Sequence, residues 1–215
     1  MTSGVRPARV DEVARIGALV GLAFDHLPQN RALVADPADR PRVMTGFFTL
    51  MAEFAASPGG RIDVISGPEG EPAAAAVWFD RTGAAPSLPA YGNRLAALAG
   101  RWVPRFAELE RLLERHHPDV PHWHLAFLAV HPHHQRAGLG TALLEHRHRL
   151  LTAPAYLEAT NMQNVRLYRR HGYRRLDPYE IRLPDGTPFY RLWRPRRSPN
   201  LKPAADPGRG RSNAR

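Results

Sequence analysis

One short stretch of the chain combines residue types that suit phosphate binding. The apolar run His124–Val130 is followed by a turn with Gly138 and Gly140, and then by a helix-like sequence. Glycine adopts backbone angles that other residues avoid and lets the chain approach a ligand closely. The first N–H groups of a helix have no partner within it, and the helix dipole favours negative charge there. The pattern predicts a phosphate site, with added side-chain contacts from Arg136 and Thr141.

Two common phosphate motifs can be excluded for this turn. A Walker A loop requires Gly-Lys-Ser/Thr, and this stretch has no lysine. The Rossmann fingerprint requires a third glycine, where this chain has Leu143. A glycine turn that only starts a helix remains the alternative if the turn is considered alone.

The sequence argues against metal and thiol chemistry. It has no cysteine, which excludes disulfides, thiolate nucleophiles and cysteine-ligated metals. Ten of the eleven histidines lie between residues 116 and 171. His146 and His148 are two apart on a predicted helix and therefore point to different faces, and no His-Glu-x-x-His occurs. We predict no metal, and histidines that are solvated or close to bound phosphate.

The net charge of +10 does not by itself indicate nucleic-acid binding. Residues 195–215 carry a net charge of +5, half of the total, in a stretch rich in Pro, Gly, Ala and Asn. Such a composition predicts a disordered basic tail. The chain also has no apolar run of membrane-spanning length and no apolar leader segment, which predicts a cytoplasmic protein that binds no membrane.

Helix-like and strand-like segments alternate along the chain, which predicts a mixed sheet covered on both faces. Apolar spacing predicts helices over 11–24, 42–56, 93–116, 140–151 and 164–171, with a kink or break near Pro104 in the third. Strands are predicted over 62–66, 74–79, 124–130, 155–160, 173–183 and 189–193, with 81–90 as a loop.

Two motifs together resemble the GNAT superfamily of acyltransferases. The first is Gln135-x-x-Gly138-x-Gly140 after the apolar strand, and the second runs from Asn164 through Leu167-Tyr168 to Gly172-Tyr173. They occur in the family's order, about 20 residues apart. Within the superfamily the chain is similar to puromycin N-acetyltransferase-like enzymes at Ala76-Val77-Trp78, Pro121–Leu125 and Leu157-Glu158.

The resemblance implies the acyl-CoA N-acyltransferase fold. This is an α/β (α+β) fold with a mixed, mostly antiparallel sheet of six to seven strands, a splayed central strand pair and helices on both faces. It implies one GNAT domain over residues 1–194, with a helical insertion at 81–120 near the acceptor site, followed by the tail.

The resemblance also implies roles for individual residues. Backbone groups of Leu128, Ala129 and Val130 would bind the pantetheine arm of acetyl-CoA, and a backbone N–H near Leu128 would polarise the thioester carbonyl. Asn164 would contact the same arm. The pyrophosphate would be held by the turn residues Gln135, Arg136, Ala137, Gly138, Leu139, Gly140 and Thr141.

The implied acid–base residues lie after the turn. Tyr168 is the expected general acid toward the departing coenzyme A. Glu158 is the first candidate for the general base, directly or through water, with His124 and His122 as rivals. An ion pair between Glu158 and a nearby arginine is the alternative to a catalytic role. Trp102 and Phe106, on the insertion, are expected to roof the acceptor pocket.

These observations predict an N-acetyltransferase that moves an acetyl group from acetyl-CoA to a primary amine of a small molecule by direct attack in a ternary complex. An aminonucleoside-type antibiotic is one candidate acceptor, which would make the protein a resistance enzyme. Acetylation of a protein N-terminus or lysine, and a non-catalytic acyl-CoA-binding regulatory module, are the alternatives. Nucleic-acid binding through the tail ranks last, and both a monomer and a homodimer are compatible with the sequence.

Overall fold

The computed structural model describes residues 4–83 and 89–196, which contain one seven-stranded sheet. Its strands are β1 (Arg6–Pro7), β2 (Gly60–Ser66), β3 (Pro72–Arg81), β4 (His122–Val130), β5 (Ala155–Ala159), β6 (Arg174–Arg182) and β7 (Pro188–Arg194). The order is β1-β2-β3-β4-β5-β7-β6, and only the β4–β5 pair is parallel. The predicted mixed, mostly antiparallel sheet is confirmed. Most of the predicted tail, from residue 197, lies outside the described residues, as do residues 84–88 of the predicted loop.

Seven α-helices occur in the described part of the chain: α1 (Val13–Phe24), α2 (Pro28–Leu33), α3 (Arg40–Ala55), α4 (Tyr91–Ala99), α5 (Val103–Arg115), α6 (Leu139–Leu150) and α7 (Met162–Arg170). α2 was not predicted, because its six residues are too few to show a helical period. No helix in the described ranges is both long and apolar enough to cross a membrane.

Two helix boundaries differ from the prediction for local reasons. The helix expected from Asp11 starts as a 3-10 turn, Val10–Glu12, in which the Glu12 carboxylate accepts the Arg9 N–H at 2.8 Å. The helix expected over 93–116 breaks at Gly100, which has a φ of 50°. Pro104 then lies in the first turn of α5, where its missing N–H breaks no hydrogen bond.

Each face of the sheet carries its own hydrophobic core. Helices α1, α3, α4 and α5 cover one face, together with Val77 and Phe79 of β3. The opposite face packs against α6 and α7, together with Ala76 and Trp78 of the same strand. Because β3 is buried on both sides, it reads as a continuous apolar run rather than an alternating one.

The central strands β4 and β5 separate soon after they meet. They pair only at Trp123 with Ala155 and at His124 with Tyr156. β4 also carries a bulge, because Leu125 and Phe127 pair with consecutive residues of β3 and leave Ala126 unpaired. A bulge bends and twists its strand, so β4 diverges from β5 and opens a gap, called here the wedge, beyond residue 124. The predicted splayed pair is confirmed.

A buried ion pair joins α6 to β2 across the edge of the second core. Arg147 Nε lies 2.8 Å from Asp63 Oδ2, and the Asp63 side chain is only 1% exposed. Both guanidinium contacts go to the same carboxylate, a bidentate geometry that satisfies a buried charge. The contact holds the last turn of α6 against β2 and thereby fixes the helix relative to the sheet.

Candidate active site

The turn before α6 has the open geometry expected of a ligand-binding loop. Gly138 caps the helix with a φ of 81°, and Arg136 also adopts a positive φ, 64°. A Cβ built on Gly138 would meet no atom within 4 Å, and residues 135–138 are exposed. Gln135 Nε2 donates to the Val130 carbonyl at 3.4 Å and ties the turn to β4. The turn at Gly138 thus leaves room for a ligand next to the start of α6.

The predicted pantetheine-binding residues lie along the wedge. Leu128, Ala129 and Val130 pair with β3 on one edge, whereas their other edge lies beyond the last β4–β5 pairing. An unpaired strand edge presents N–H and C=O groups in a row that an extended ligand can match. The end of this edge leads directly into the turn before α6.

Helix α7 begins on the far side of the wedge. Asn161 caps it by accepting the Asn164 N–H at 2.8 Å, and the Asn164 side chain donates to Thr160 Oγ1 at 3.3 Å. Tyr168 packs in the second core with its ring 5.7 Å from that of Tyr173. Burial raises the pKa of the Tyr168 phenol, and its hydroxyl has no hydrogen-bond partner among the described residues. The phenol therefore stays protonated at neutral pH, ready to donate.

A cavity of about 500 Å³ opens on the opposite face of β4 and β5. Seven of the eight phenylalanines line it, and the eighth, Phe106, packs behind Phe47 at 5.0 Å between ring centres. The lining phenylalanines are Phe24, Phe47, Phe48, Phe54, Phe79, Phe127 and Phe189. A mostly apolar concave site with a few convergent polar groups is the usual form of a small-molecule site.

The polar groups of the cavity converge on a histidine–glutamate pair. His124 Nε2 lies 2.8 Å from Glu158 Oε2, and the two side chains are only 12% and 7% exposed. Burial alone raises the pKa of the Glu158 carboxyl, but electrostatic attraction to His124 and hydrogen bonds from His124 and Tyr156 outweigh it and hold this pKa below its usual range. His124 Nδ1 and Glu158 Oε1 are buried, and neither has a hydrogen-bond partner in the described part of the chain. Both atoms thus keep unused hydrogen-bonding capacity within the described residues.

Two further histidines lie beside this pair. His122 Nδ1 is 2.7 Å from the Val120 carbonyl, and its Nε2 is 3.1 Å from His117 Nε2. Burial lowers the pKa of both rings, that of His117 to about 3. The expectation of solvated or phosphate-adjacent histidines is wrong for these two residues and for His148, which is buried against the Tyr173 hydroxyl. His117 lines the cavity, but His122 lies behind it.

Two other expectations are corrected by the structure. Arg191 lies opposite Glu158 on β7, yet its guanidinium donates to Tyr156, Pro178 and His116. The partner of Glu158 is therefore His124 and not an arginine. No arginine forms an ion pair with Glu158 in residues 4–83 and 89–196.

Trp102 and Phe106 do not roof the cavity. Phe106 is 1% exposed within the first core, and Trp102 Nε1 donates to Asp39 at 2.9 Å. The insertion still borders the cavity, but through other faces of its helices. Its lining residues are Tyr91, Leu109, Glu110, Leu113, Glu114 and His117.

Sequence reasoning missed two polar residues of the cavity wall. Gln29 Nε2 donates to the carbonyls of Thr160 at 3.1 Å and Pro188 at 2.7 Å, while its Oε1 is buried without a partner. Arg81, at the end of β3, also lines the cavity. Neither residue belongs to a motif, so only the folded chain brings them to the site.

No group of side chains that could hold a metal ion occurs within the described ranges. The histidine-rich region instead divides into buried pairs and a separate group on the turn. In that group the rings of His131 and His133 lie 5.1 Å apart beside the start of α6.

Comparison with known proteins agrees with this geometry. Residues 96–175 match the model of the acetyltransferase (GNAT) domain. The fold superimposes on that of a crystal structure described as histone acetyltransferase HPA2 and related acetyltransferase from Corynebacterium glutamicum, with a TM-score of 0.73 and 28% identity over 94% of this chain and 100% of that one. Residues 96–175 thus resemble a GNAT acetyltransferase domain in sequence, and the surrounding fold is similar to that of a known acetyltransferase.

More distant GNAT structures share the fold alone. The ribosomal-protein-S18-alanine N-acetyltransferase of Escherichia coli matches with a TM-score of 0.54 and 17% identity, over 94% of this chain and 98% of that one. Arylalkylamine N-acetyltransferase 2 of Aedes aegypti matches with a TM-score of 0.55 and 13% identity, over 90% of this chain and 99% of that one. The GNAT sequence match contains β4, the turn, β5 and α7, but not α1 to α3.

Proposed function

We propose that this chain is a GNAT acyltransferase that transfers the acetyl group of acetyl-CoA to a primary amine of a small molecule, by direct attack in a ternary complex. The observation that carries the proposal is the arrangement around the wedge. An open turn and an unpaired strand edge lie along it, and an aromatic cavity reaches the buried His124–Glu158 pair beside it. The two substrates would then meet where β4 and β5 diverge.

The residues around the wedge fit the cosubstrate. When bound, acetyl-CoA supplies an activated acetyl thioester. The turn and first residues of α6, from Gln135 to Thr141, suit its pyrophosphate, since helix N–H groups lie there and Gly138 leaves room for close approach. Leu128 to Val130 offer their free edge to the pantetheine arm, and Asn164 lies across the wedge from them.

The acceptor side of the mechanism is assigned to the histidine–glutamate pair. With Nε2–H donating to Glu158, His124 presents Nδ1 as a lone pair toward the cavity. We assign proton acceptance from the amine to His124 and orientation of its ring to Glu158, which revises the earlier expectation of Glu158 as the base. An α-amino group of pKa about 7.7–8.0 needs little help, whereas a lysine-like amine of about 10.4 needs more.

Tyr168 would complete the reaction from the other side of β5. Tyr156 and Glu158 face the cavity side of this strand, and Leu157 faces the second core that contains Tyr168. A protonated phenol there suits proton donation to the departing sulfur. Base and acid would thus work on opposite faces of one strand, so neither has to move between the two substrates.

The shape of the cavity favours a small molecule over a protein substrate. A volume of about 500 Å³ falls within the usual range of roughly 300–1,000 Å³ for small-molecule sites. Its walls come from α1, α3 and α5 rather than from an open groove. An aromatic amine, including an aminonucleoside-type antibiotic, fits this lining better than an extended peptide.

A thiol-release screen tests the proposal. The protein is incubated with acetyl-CoA and single members of four classes, namely aminonucleosides with puromycin first, amino acids and their amides, polyamines, and peptides. We expect coenzyme A release with aromatic small-molecule amines and initial-rate patterns of a ternary complex. Release with peptides alone would contradict the choice of acceptor, and ping-pong kinetics would contradict direct transfer.

A further inference from the structure

Arg81 stands out among the charged residues of the cavity. It ends β3, is half-buried, and lines the same cavity as His117 and His124. Its Nε atom is buried and has no hydrogen-bond partner within residues 4–83 and 89–196. A buried N–H group without a hydrogen-bond partner is costly, because it has left water without a replacement.

None of the neighbouring groups supplies that partner. Glu158 is paired with His124, and Glu110 accepts a hydrogen bond from Tyr91. Glu114 is exposed and forms no ion pair with Arg81. His117 and His122 cannot supply a negative charge either, because an imidazole ring is neutral or positively charged, and burial and the nearby positive charges lower the pKa of both rings. Residues 84–88, which follow β3, include no Asp or Glu.

The register of the strands places Arg81 close to the proposed reaction centre. Arg81 pairs with His122 and Phe79 pairs with His124, so Arg81 and His124 are diagonal neighbours on one face of the sheet. Diagonal neighbours lie about 7–8 Å apart. A ligand that places its amine at His124 Nδ1 can therefore reach the Arg81 guanidinium with an atom only a few bonds from that amine.

The rest of the cavity restricts what else the ligand contains. Most of the wall around the His124–Glu158 pair is phenylalanine, which offers no hydrogen bonds, and Arg81 is the one arginine or lysine among the described lining residues. A ligand with a mostly apolar body would therefore place a negatively charged or strongly polar oxygen at Arg81.

We infer that Arg81 is a recognition residue for a carbonyl or carboxylate oxygen carried close to the acceptor amine. The preferred acceptor is then an aromatic α-amino carbonyl compound rather than a simple aryl-alkyl amine. This inference rests on the proposed function and deepens it, since it names the chemical class that the cavity selects. A carboxylate would form a charged pair with the guanidinium, whereas an amide carbonyl would accept hydrogen bonds from it.

Three amines with the same benzyl group test the inference: 2-phenylethylamine, phenylalaninamide and phenylalanine. Their kcat/KM values are measured with the wild-type chain, Arg81→Gln, and Arg61→Gln as a matched control. Arg61 is an exposed arginine on the neighbouring strand β2, and among the described residues its side chain bonds only the adjacent Gly60 carbonyl. Each amine is compared with itself across the proteins, so the different pKa values of the amines do not affect the ratios.

We expect Arg81→Gln to lower kcat/KM by about 10- to 100-fold for each oxygen-bearing amine that the wild-type chain acetylates. The kcat/KM for 2-phenylethylamine should stay within about threefold of the wild-type value. A larger loss of kcat/KM with phenylalaninamide identifies a carbonyl as the group that Arg81 binds. A larger loss with phenylalanine identifies a carboxylate. Arg61→Gln is expected to change none of the three values.

Two results would overturn the inference while coenzyme A is still released. One is an equal loss with all three amines, which would assign Arg81 a structural role, and the other is no loss with either oxygen-bearing amine. Thermal melting of each variant separates unfolding from lost recognition, and Arg81→Lys, which keeps the charge, is expected to retain part of the selectivity. Absence of thiol release with every amine in the wild-type chain would instead contradict the proposed function, and this inference with it.

Discussion

The two sides of the wedge are built in different ways. The side proposed to bind coenzyme A, called here the coenzyme side, consists of β4, the turn before α6, and α7, and it presents mainly backbone groups and a helix N-terminus. The acceptor side consists of α1, α3 and α5 over the other face of the sheet, and it presents side chains that include seven phenylalanines. The GNAT sequence match, residues 96–175, contains β4, the turn, α7 and also α5, and it leaves out α1 to α3, which supply much of the cavity wall.

This difference explains why one side can be predicted from sequence and the other cannot. A site made of backbone groups needs a glycine with a particular φ and a helix that starts at a particular residue. Both requirements depend on residues that are close together in the sequence. Gly138, with its φ of 81°, is such a position. A side-chain site can use any residue that the fold brings near, and the pairs Gln29–Thr160 and His124–Glu158 join residues 131 and 34 positions apart.

The largest effect is expected from breaking the histidine–glutamate pair. His124→Asn removes the proposed proton acceptor, and kcat should fall by about 100- to 10,000-fold, the usual contribution of a positioned base. Glu158→Gln removes the group that orients the ring and should cause a similar but smaller loss. Because the two act as one unit, the double variant should be no worse than His124→Asn. Steady-state kinetics at saturating acetyl-CoA measures all three.

His26→Asn, an exposed histidine next to α1, serves as the control and should leave kcat unchanged. Losses that add fully in the double variant would show that His124 and Glu158 act independently. A change in the acceptor KM with kcat intact would reduce the pair to a binding role.

Tyr168→Phe tests the acid on the coenzyme side. The substitution removes only the hydroxyl, which has no hydrogen-bond partner in the described part of the chain, so stability should hardly change. We expect kcat to fall by about 10- to 100-fold, with KM for acetyl-CoA within about threefold.

Tyr173→Phe is the matched control, since its buried hydroxyl lies 3.1 Å from His148 Nε2. It should lower the melting temperature without changing kcat. An unchanged kcat in Tyr168→Phe would remove its role as acid.

Gly138→Val tests whether the turn binds through its backbone. Valine at a positive φ is strained by about 1–2 kcal/mol, and the turn should relax away from the geometry that fits a pyrophosphate. We expect KM for acetyl-CoA to rise by about tenfold, with the acceptor KM unchanged. Gly186 has a φ of 86° and, like Gly138, open space around its Cβ position, but it lies in the β6–β7 hairpin. An equal rise in KM with Gly186→Val would show that strain alone is responsible.

The smallest effect concerns the acceptor side. Met51 lines the cavity from α3, and Met51→Trp fills part of it with a larger ring. KM for an aromatic amine should rise by about three- to tenfold, while KM for acetyl-CoA stays the same. Leu22→Trp, at a position of α1 that is 51% exposed, is the control. A rise in KM for acetyl-CoA alone would mean that the cavity belongs to the cosubstrate.

Particular residues show how far sequence reasoning reaches. It predicted the mixed sheet, the splayed pair and the position of the turn before α6, because apolar periodicity and glycine positions encode them directly. The structure places Glu158 at the wedge as expected, but its partner is His124, since strand pairing decides which residue faces it. Trp102 and Phe106 lie on the expected helical segments but on faces turned away from the cavity, which depends on how α5 packs.

The central claim is that an amine in the aromatic cavity receives the acetyl group at the wedge. Labelled acetyl-CoA is given to the wild-type chain and to His124→Asn with an equimolar mixture of puromycin, phenylalaninamide, spermidine and a peptide with a free N-terminus, and the labelled products are identified by mass spectrometry. The account predicts label on puromycin or phenylalaninamide with the wild-type chain and its loss in His124→Asn. Label on the peptide alone, or equal labelling by the two proteins, would contradict it.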